Sequence, residues 1–122
     1  MERSTSKINP LFTLEYMQKE AENKYFDRKS CQIRVADLAP HISAFANADG
    51  GTLVIGISDK KRIIEGINAC GADKINEFIN APKDCCRPMP RYKEEFIDAI
   101  NAFGKPDRVL LLHIEASTGQ VI

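Results

Sequence analysis

A few acids and a scatter of basic residues are the side chains here whose types and spacing could do chemistry. Glu20, Asp27 and Asp59 lie near the ends of what read as two strands. If their carboxylates converge, they could hold Mg²⁺ or Mn²⁺ and turn a bound water into a nucleophile. Exposed acids without any such role are the commoner case, so the chemistry depends on convergence. Arg28 and Lys29, then Lys60, Lys61 and Arg62 in one turn, then Arg87, Arg91 and Lys93 around a later loop, could contact phosphates. Such contacts position nucleic acid without reading its sequence. The plain alternative is a solvated turn with scattered surface charge. Nucleotide binding at Asp49-Gly50-Gly51 fails on order. A phosphate-cradling GxxxxGK[ST] loop leads from strand into helix, whereas these glycines lead from helix into strand.

The elements that must position these groups centre on residues 38–57, LAPHISAFANADGGTLVIGI. Leu38, Ile42, Phe45 and Ala46 recur at helical spacing, with Asp37 as N-cap and Pro40 inside the first turn. Asn47, Asp49, Gly50 and Gly51 end the helix, and at least one of the two glycines is expected at positive φ. Thr52 to Ile57 is apolar and β-branched, as in a strand buried on both faces, with Gly56 marking a close approach or a bulge. Upstream, residues 1–12 are expected to be a loosely ordered lead-in to a domain over 13–122. Asn9-Pro10 opens a helix carrying Leu11, Leu14, Met17 and Ala21 to about Glu22. Lys24 to Lys29 reads as a strand with Phe26 inward.

Downstream, Ile63 to Ile67 is expected to pair with Thr52 to Ile57 as a hairpin across a charged turn. Asp73 to Asn80 reads as a helix stopped by Pro82. Tyr92 to Phe103 fits both a helix and a strand. The turn chemistry of residues 104–107, leading into the strand Arg108 to Glu115, favours the strand. The fold class is therefore α/β (α+β), a mixed sheet of about five strands packed with two or three helices.

The chain has 122 residues, enough for one domain with its own core. Lys plus Arg equals Asp plus Glu at 17 each, so no global basic field exists and nucleic-acid binding must rest on a local patch. Cys31, Cys70, Cys85 and Cys86 contain no CxxC pair, and His41 and His113 do not complete a zinc spacing. Free thiols, a cytoplasmic location, no membrane span and no cofactor are expected, apart from Mg²⁺ or Mn²⁺ under the hydrolytic reading.

The run AFANADGGTLVIGI, followed by Ser58-Asp59 and by Ile63-Ile64-Glu65-Gly66-Ile67, resembles the AlbA-2 or Schlafen-type DNA-binding domain family, also known as divergent AAA-4. That family precedes the unit with a segment of ExxxxEFK type. Here Glu20 and Phe26 match it, Tyr25 stands at the second Glu and Asp27 at the Lys. The resemblance implies an AlbA-2-like fold and a DNA-binding module of a transcriptional regulator, using Arg28, Lys29, Lys60, Lys61 and Arg62. It implies further domains of the same chain, since residues 117–122 end without a cap or charged tail. It also implies an alternative, a divalent-metal-dependent endoribonuclease. Three acids serve in the nuclease-active Schlafen relatives; Glu20 and Asp59 resemble two of them, and Asp27 would replace the third. A protein interaction or dimerisation module, with a possible homo-oligomer, is the remaining alternative.

Overall fold

A computed structural model of the chain describes residues 14–19, 22–23, 25–58 and 60–117. Its elements are α1 (Leu14–Lys19), β1 (Phe26–Lys29), a 3₁₀ turn (Val35–Leu38), α2 (Ala39–Ala46), β2 (Gly51–Ile55), a second 3₁₀ turn (Asn68–Cys70), α3 (Ala72–Cys85), β3 (Tyr92–Ile100) and β4 (Pro106–Ile114). The strands form one mixed sheet in the order β1-β2-β4-β3. β1 runs parallel to β2 with Phe26 opposite Thr52, while β2 and β3 each pair antiparallel with β4.

β2 is apolar from Leu53 to Ile55, and both of its faces are covered. Leu53 and Ile55 point with Leu110, Leu112 and Ile114 toward Leu38 of the first 3₁₀ turn, Ile42, Phe45 and Ala46 of α2, and Ile75 and Phe78 of α3. Val54 points the other way, with Phe26, Ile57, Val109 and Leu111, onto Met17 of α1. The two sets alternate along each strand, as the period of two requires.

The break between α2 and β2 is built as its residues imply. Gly50 has φ +84°, and its N–H donates to the Phe45 carbonyl at 2.9 Å. A Cβ on Gly51 would lie 2.3 Å from the Phe45 ring, so this second glycine permits close packing. Gly56 has φ +118°, and a Cβ there would meet the backbone of Gly66.

Three local expectations are corrected. Asp37 is not the N-cap: it lies inside the 3₁₀ turn and holds Arg34 by two 3.0 Å hydrogen bonds, and α2 begins after Leu38. Pro82 does not stop α3, which continues to Cys85; Ala81 and Pro82 are buried, and that contact offsets the one lost backbone bond. Ile63 to Ile67 is not a strand, and the sheet has four strands among the described residues. A single bridge joins Ile57 to Ile64. Beyond it, the N–H groups of Glu65 and Gly66 both donate to the Gly56 carbonyl, and that of Ile67 donates to β4 at the Arg108 carbonyl. With Gly56 and Gly66 both at positive φ, the segment bends away from β2 before a ladder can form.

Tyr92 to Ile100 is a strand, paired residue for residue with β4 from Tyr92 opposite Ile114 to Ile100 opposite Pro106. The helix expected from Asn9-Pro10 to about Glu22 is described over α1; residues 9–13, 20 and 21 fall outside the described residues, and Glu22 is not helical.

Candidate functional site

β1 sorts its four residues by alternation. Phe26 and Arg28 face α1, while Asp27 and Lys29 face α2. Arg28 is 1% exposed; its Nε donates to the Met17 carbonyl at 3.0 Å, and its guanidinium lies 5.3 Å from the Phe26 ring centre. This is a correction to its expected role, because a guanidinium withdrawn beneath α1 is not presented to a phosphate.

On the opposite face, Asp27 anchors a small charged site. Its Oδ2 lies 3.3 Å from Lys29 Nζ and 3.3 Å from His41 Nδ1. Lys29 is therefore committed to Asp27 at the wall of the site. Glu22, Asn23, Asp27, His41, Phe45 and Ala48 line a cavity of about 440 Å³. Loss of solvent at this wall, then a hydrogen bond shared with Asp27 and the Asp27 charge, push the Glu22 carboxyl up to about 7. The Arg28 N–H and the Lys29 ammonium oppose the shift without overcoming it. Asp27 Oδ1 is buried and meets no hydrogen-bond donor among the described residues.

Glu22 is the residue that sequence reasoning missed. The ExxxxE spacing counted from Glu20 ends on Tyr25, which is half exposed at the surface. Counted from Glu22 it ends on Asp27, and Lys29 then takes the place of the lysine. The signal was present two residues along. Glu20 and Asp59 lie outside the described residues, so the convergence of the original trio is described only at Asp27.

The charged turn lies toward the α1 face. Arg62 adopts φ +57°, its N–H donates to the Ser58 carbonyl at 2.9 Å, and its guanidinium donates to the Lys19 carbonyl. Gln18 Nε2 donates to the Arg62 carbonyl at 3.0 Å, and Ser58 Oγ accepts from the Ile63 N–H at 3.0 Å. Arg62 thus pins the turn to α1, and Lys60 and Lys61 stand exposed on it. The expected patch of Arg28, Lys29, Lys60, Lys61 and Arg62 is consequently divided between two faces. Arg91 and Lys93 are at the start of β3, ~26 Å from its other end at about 3.3 Å per residue.

A hydroxyl–imidazole–carboxylate chain also emerges. Thr52 Oγ1 is 2.9 Å from His113 Nδ1, and His113 Nε2 is 2.8 Å from Glu95 Oε1. With Thr52 only 4% exposed, its hydroxyl is closed to a substrate, and the chain serves as a polar tie across β2, β4 and β3. All four cysteines are free thiols.

Residues 15–121 match the profile of the family described as Schlafen, AlbA_2. The chain belongs to the Schlafen AlbA-2 family. This family is linked to nucleic-acid binding. Among solved structures, the AlbA-2 chain is similar to the DIP2311 protein from Corynebacterium diphtheriae, with 19% identity and a TM-score of 0.50. The match covers 86% of this chain and 22% of that one, so the AlbA-2 domain spans about a fifth of that protein. Likeness at this identity shows the shared fold alone. No described helix of the AlbA-2 domain is long and apolar enough to cross a membrane.

Proposed function

We propose that this domain binds nucleic acid, and DNA in particular, through backbone phosphates, as a module of a transcriptional regulator. The observation that carries this reading is the pinned turn. Lys60 and Lys61 are exposed on a backbone already fixed by Ser58, Arg62 and α1, so little ordering opposes a phosphate contact there. Neither lysine reads bases, and binding should be independent of sequence. Charge reversal of both, Lys60→Glu with Lys61→Glu, should abolish binding to unrelated duplexes while leaving the urea unfolding midpoint close to that of the wild type. Unchanged affinity would overturn the assignment.

A second reading, hydrolysis of RNA with a divalent cation, is favoured by the proximity of Glu22 and Asp27. Asp27 Oδ1 is an oxygen in want of a partner, and Glu22 is a carboxyl that holds its proton into the neutral range, which a cation would displace. Those two carboxylates, with Asp59, would hold Mg²⁺ or Mn²⁺, and the ion would supply an activated water. RNA incubated with Mn²⁺ and either wild type or Asp27→Asn tests it: cleavage by the wild type alone supports hydrolysis. Equal products from both proteins would count against it.

A further inference from the structure

Phe103 is 87% exposed at the tip of the β3–β4 turn, the most exposed large apolar side chain among the described residues. It does not help to form that turn. Asn101 does so, with Oδ1 accepting from the N–H groups of Phe103 at 2.9 Å and Lys105 at 3.1 Å, while Gly104 takes φ +78°. Asn101 Nδ2 in turn donates to Asp107 Oδ2 at 3.2 Å, which ties the turn to β4. The ring is thus held out into solvent by a backbone that needs nothing from it.

The segments that meet at this tip carry lysines. The Ala102 N–H donates to the Ile64 carbonyl at 2.9 Å, so the aromatic tip abuts the segment that carries Lys60 and Lys61. Lys61 is three residues from Ile64, no more than ~11 Å even for extended chain. Lys105 is exposed two residues along the same turn. Asp107, the nearest described acid along the chain, is already engaged by Ile67, Asn68, Asn101 and Arg108, and Asp98 is the exposed acid on this part of β3. An exposed ring with lysines on its own turn and on the neighbouring segment matches a nucleic-acid strand whose phosphates meet the ammonium groups while an unpaired base stacks on the π face.

We infer that Phe103, with Lys60, Lys61 and Lys105, forms a site for single-stranded nucleic acid in which one base stacks on the Phe103 ring. The inference rests on the phosphate-binding reading above and adds to it the class of ligand. A duplex keeps its bases stacked on one another and offers this ring nothing, so preference for a single strand is the signature.

Anisotropy titrations of labelled oligothymidylate, and of a duplex of the same length, test this with four proteins: wild type, Phe103→Ala, Phe103→Tyr and the Lys60→Glu, Lys61→Glu double variant. Phe103→Ala should weaken single-strand binding by between about 5-fold and 150-fold, with Phe103→Tyr close to wild type and duplex affinity unaltered by either. The double variant should lose both ligands. If Phe103→Ala binds the single strand as wild type does while the double variant does not, stacking is overturned and phosphate binding stands. If wild type binds neither ligand, both readings fall. If Phe103→Ala converts a dimer to monomer in sedimentation without changing oligonucleotide affinity, the ring is a contact between copies and the inference is overturned.

Discussion

Arg28 and Lys29 are adjacent cations with opposite fates, because neighbouring residues of a strand point to opposite faces. Arg28 fills space beneath α1 and caps the Met17 carbonyl; Lys29 turns to Asp27 on the α2 side. Arg28→Ala is therefore expected to destabilise the fold by about 2–4 kcal/mol, through a cavity and a lost buried bond, in urea titrations. Nucleic-acid affinity, measured where the variant is folded, should stay near that of the wild type. Glu22 supplies a pH dependence with a definite sign. The native protein holds its proton up to about pH 7, whereas the unfolded chain releases it near 4.5. Between those values the native state binds more protons, so this group's contribution to stability falls as pH rises from about 4.5 to about 7. Glu22→Gln should lack that component when urea midpoints are compared across the range in metal-free buffer. Identical pH profiles for the two proteins would refute the assignment.

At the scale of elements, the segment from Gly56 to Cys70 is held by contacts rather than by a ladder. Asp107 at the start of β4 accepts from the N–H groups of Ile67 and Asn68 at 3.0 Å each, joining that segment to the sheet. Burial alone would raise the Asp107 carboxyl, but the hydrogen bonds from Asn68, Arg108, Asn101 and Ile67 outweigh it and hold it below the ordinary carboxylate range. Its stabilising contribution is accordingly present above about pH 3.8 and lost as pH falls through the lowered native value. Gly66 makes this junction possible. It has φ +77°, and a Cβ there would sit 2.1 Å from the Asp107 carboxyl carbon. Gly66→Ala should cost at least about 2 kcal/mol, combining left-handed strain with displaced hydrogen bonds. It should also remove part of the acid limb of the stability profile, which urea titrations between pH 3 and pH 6 of the Gly66→Ala and Asp107→Asn proteins would read side by side.

At the scale of the whole molecule, the formal charge is zero, so no long-range field draws nucleic acid in and association depends on the local turn. A site of two or three lysines neutralises few phosphates. The logarithm of the binding constant should fall against the logarithm of salt concentration with a slope of about −2 to −3, at about 0.9 per phosphate. A slope near zero would exclude phosphate contact, and a much steeper one would require basic residues beyond this turn. By itself, the sequence determined the features set by local chemistry and periodicity: the apolar face of α2, the glycine break at Gly50, the doubly buried β2, the inward Phe26 and the strand at Tyr92 to Ile100. Each depends on spacing along the chain or on backbone freedom, which composition and order specify directly. Tertiary structure decided the rest. It placed Arg28 in the core, Glu22 beside Asp27, the Ile63 to Ile67 segment out of the sheet and Phe103 in solvent. Those outcomes turn on which face of β1 lies under α1, where the N–H groups beyond Gly56 find acceptors, and which segments meet at Ala102 and Ile64, contacts that spacing along the chain does not specify.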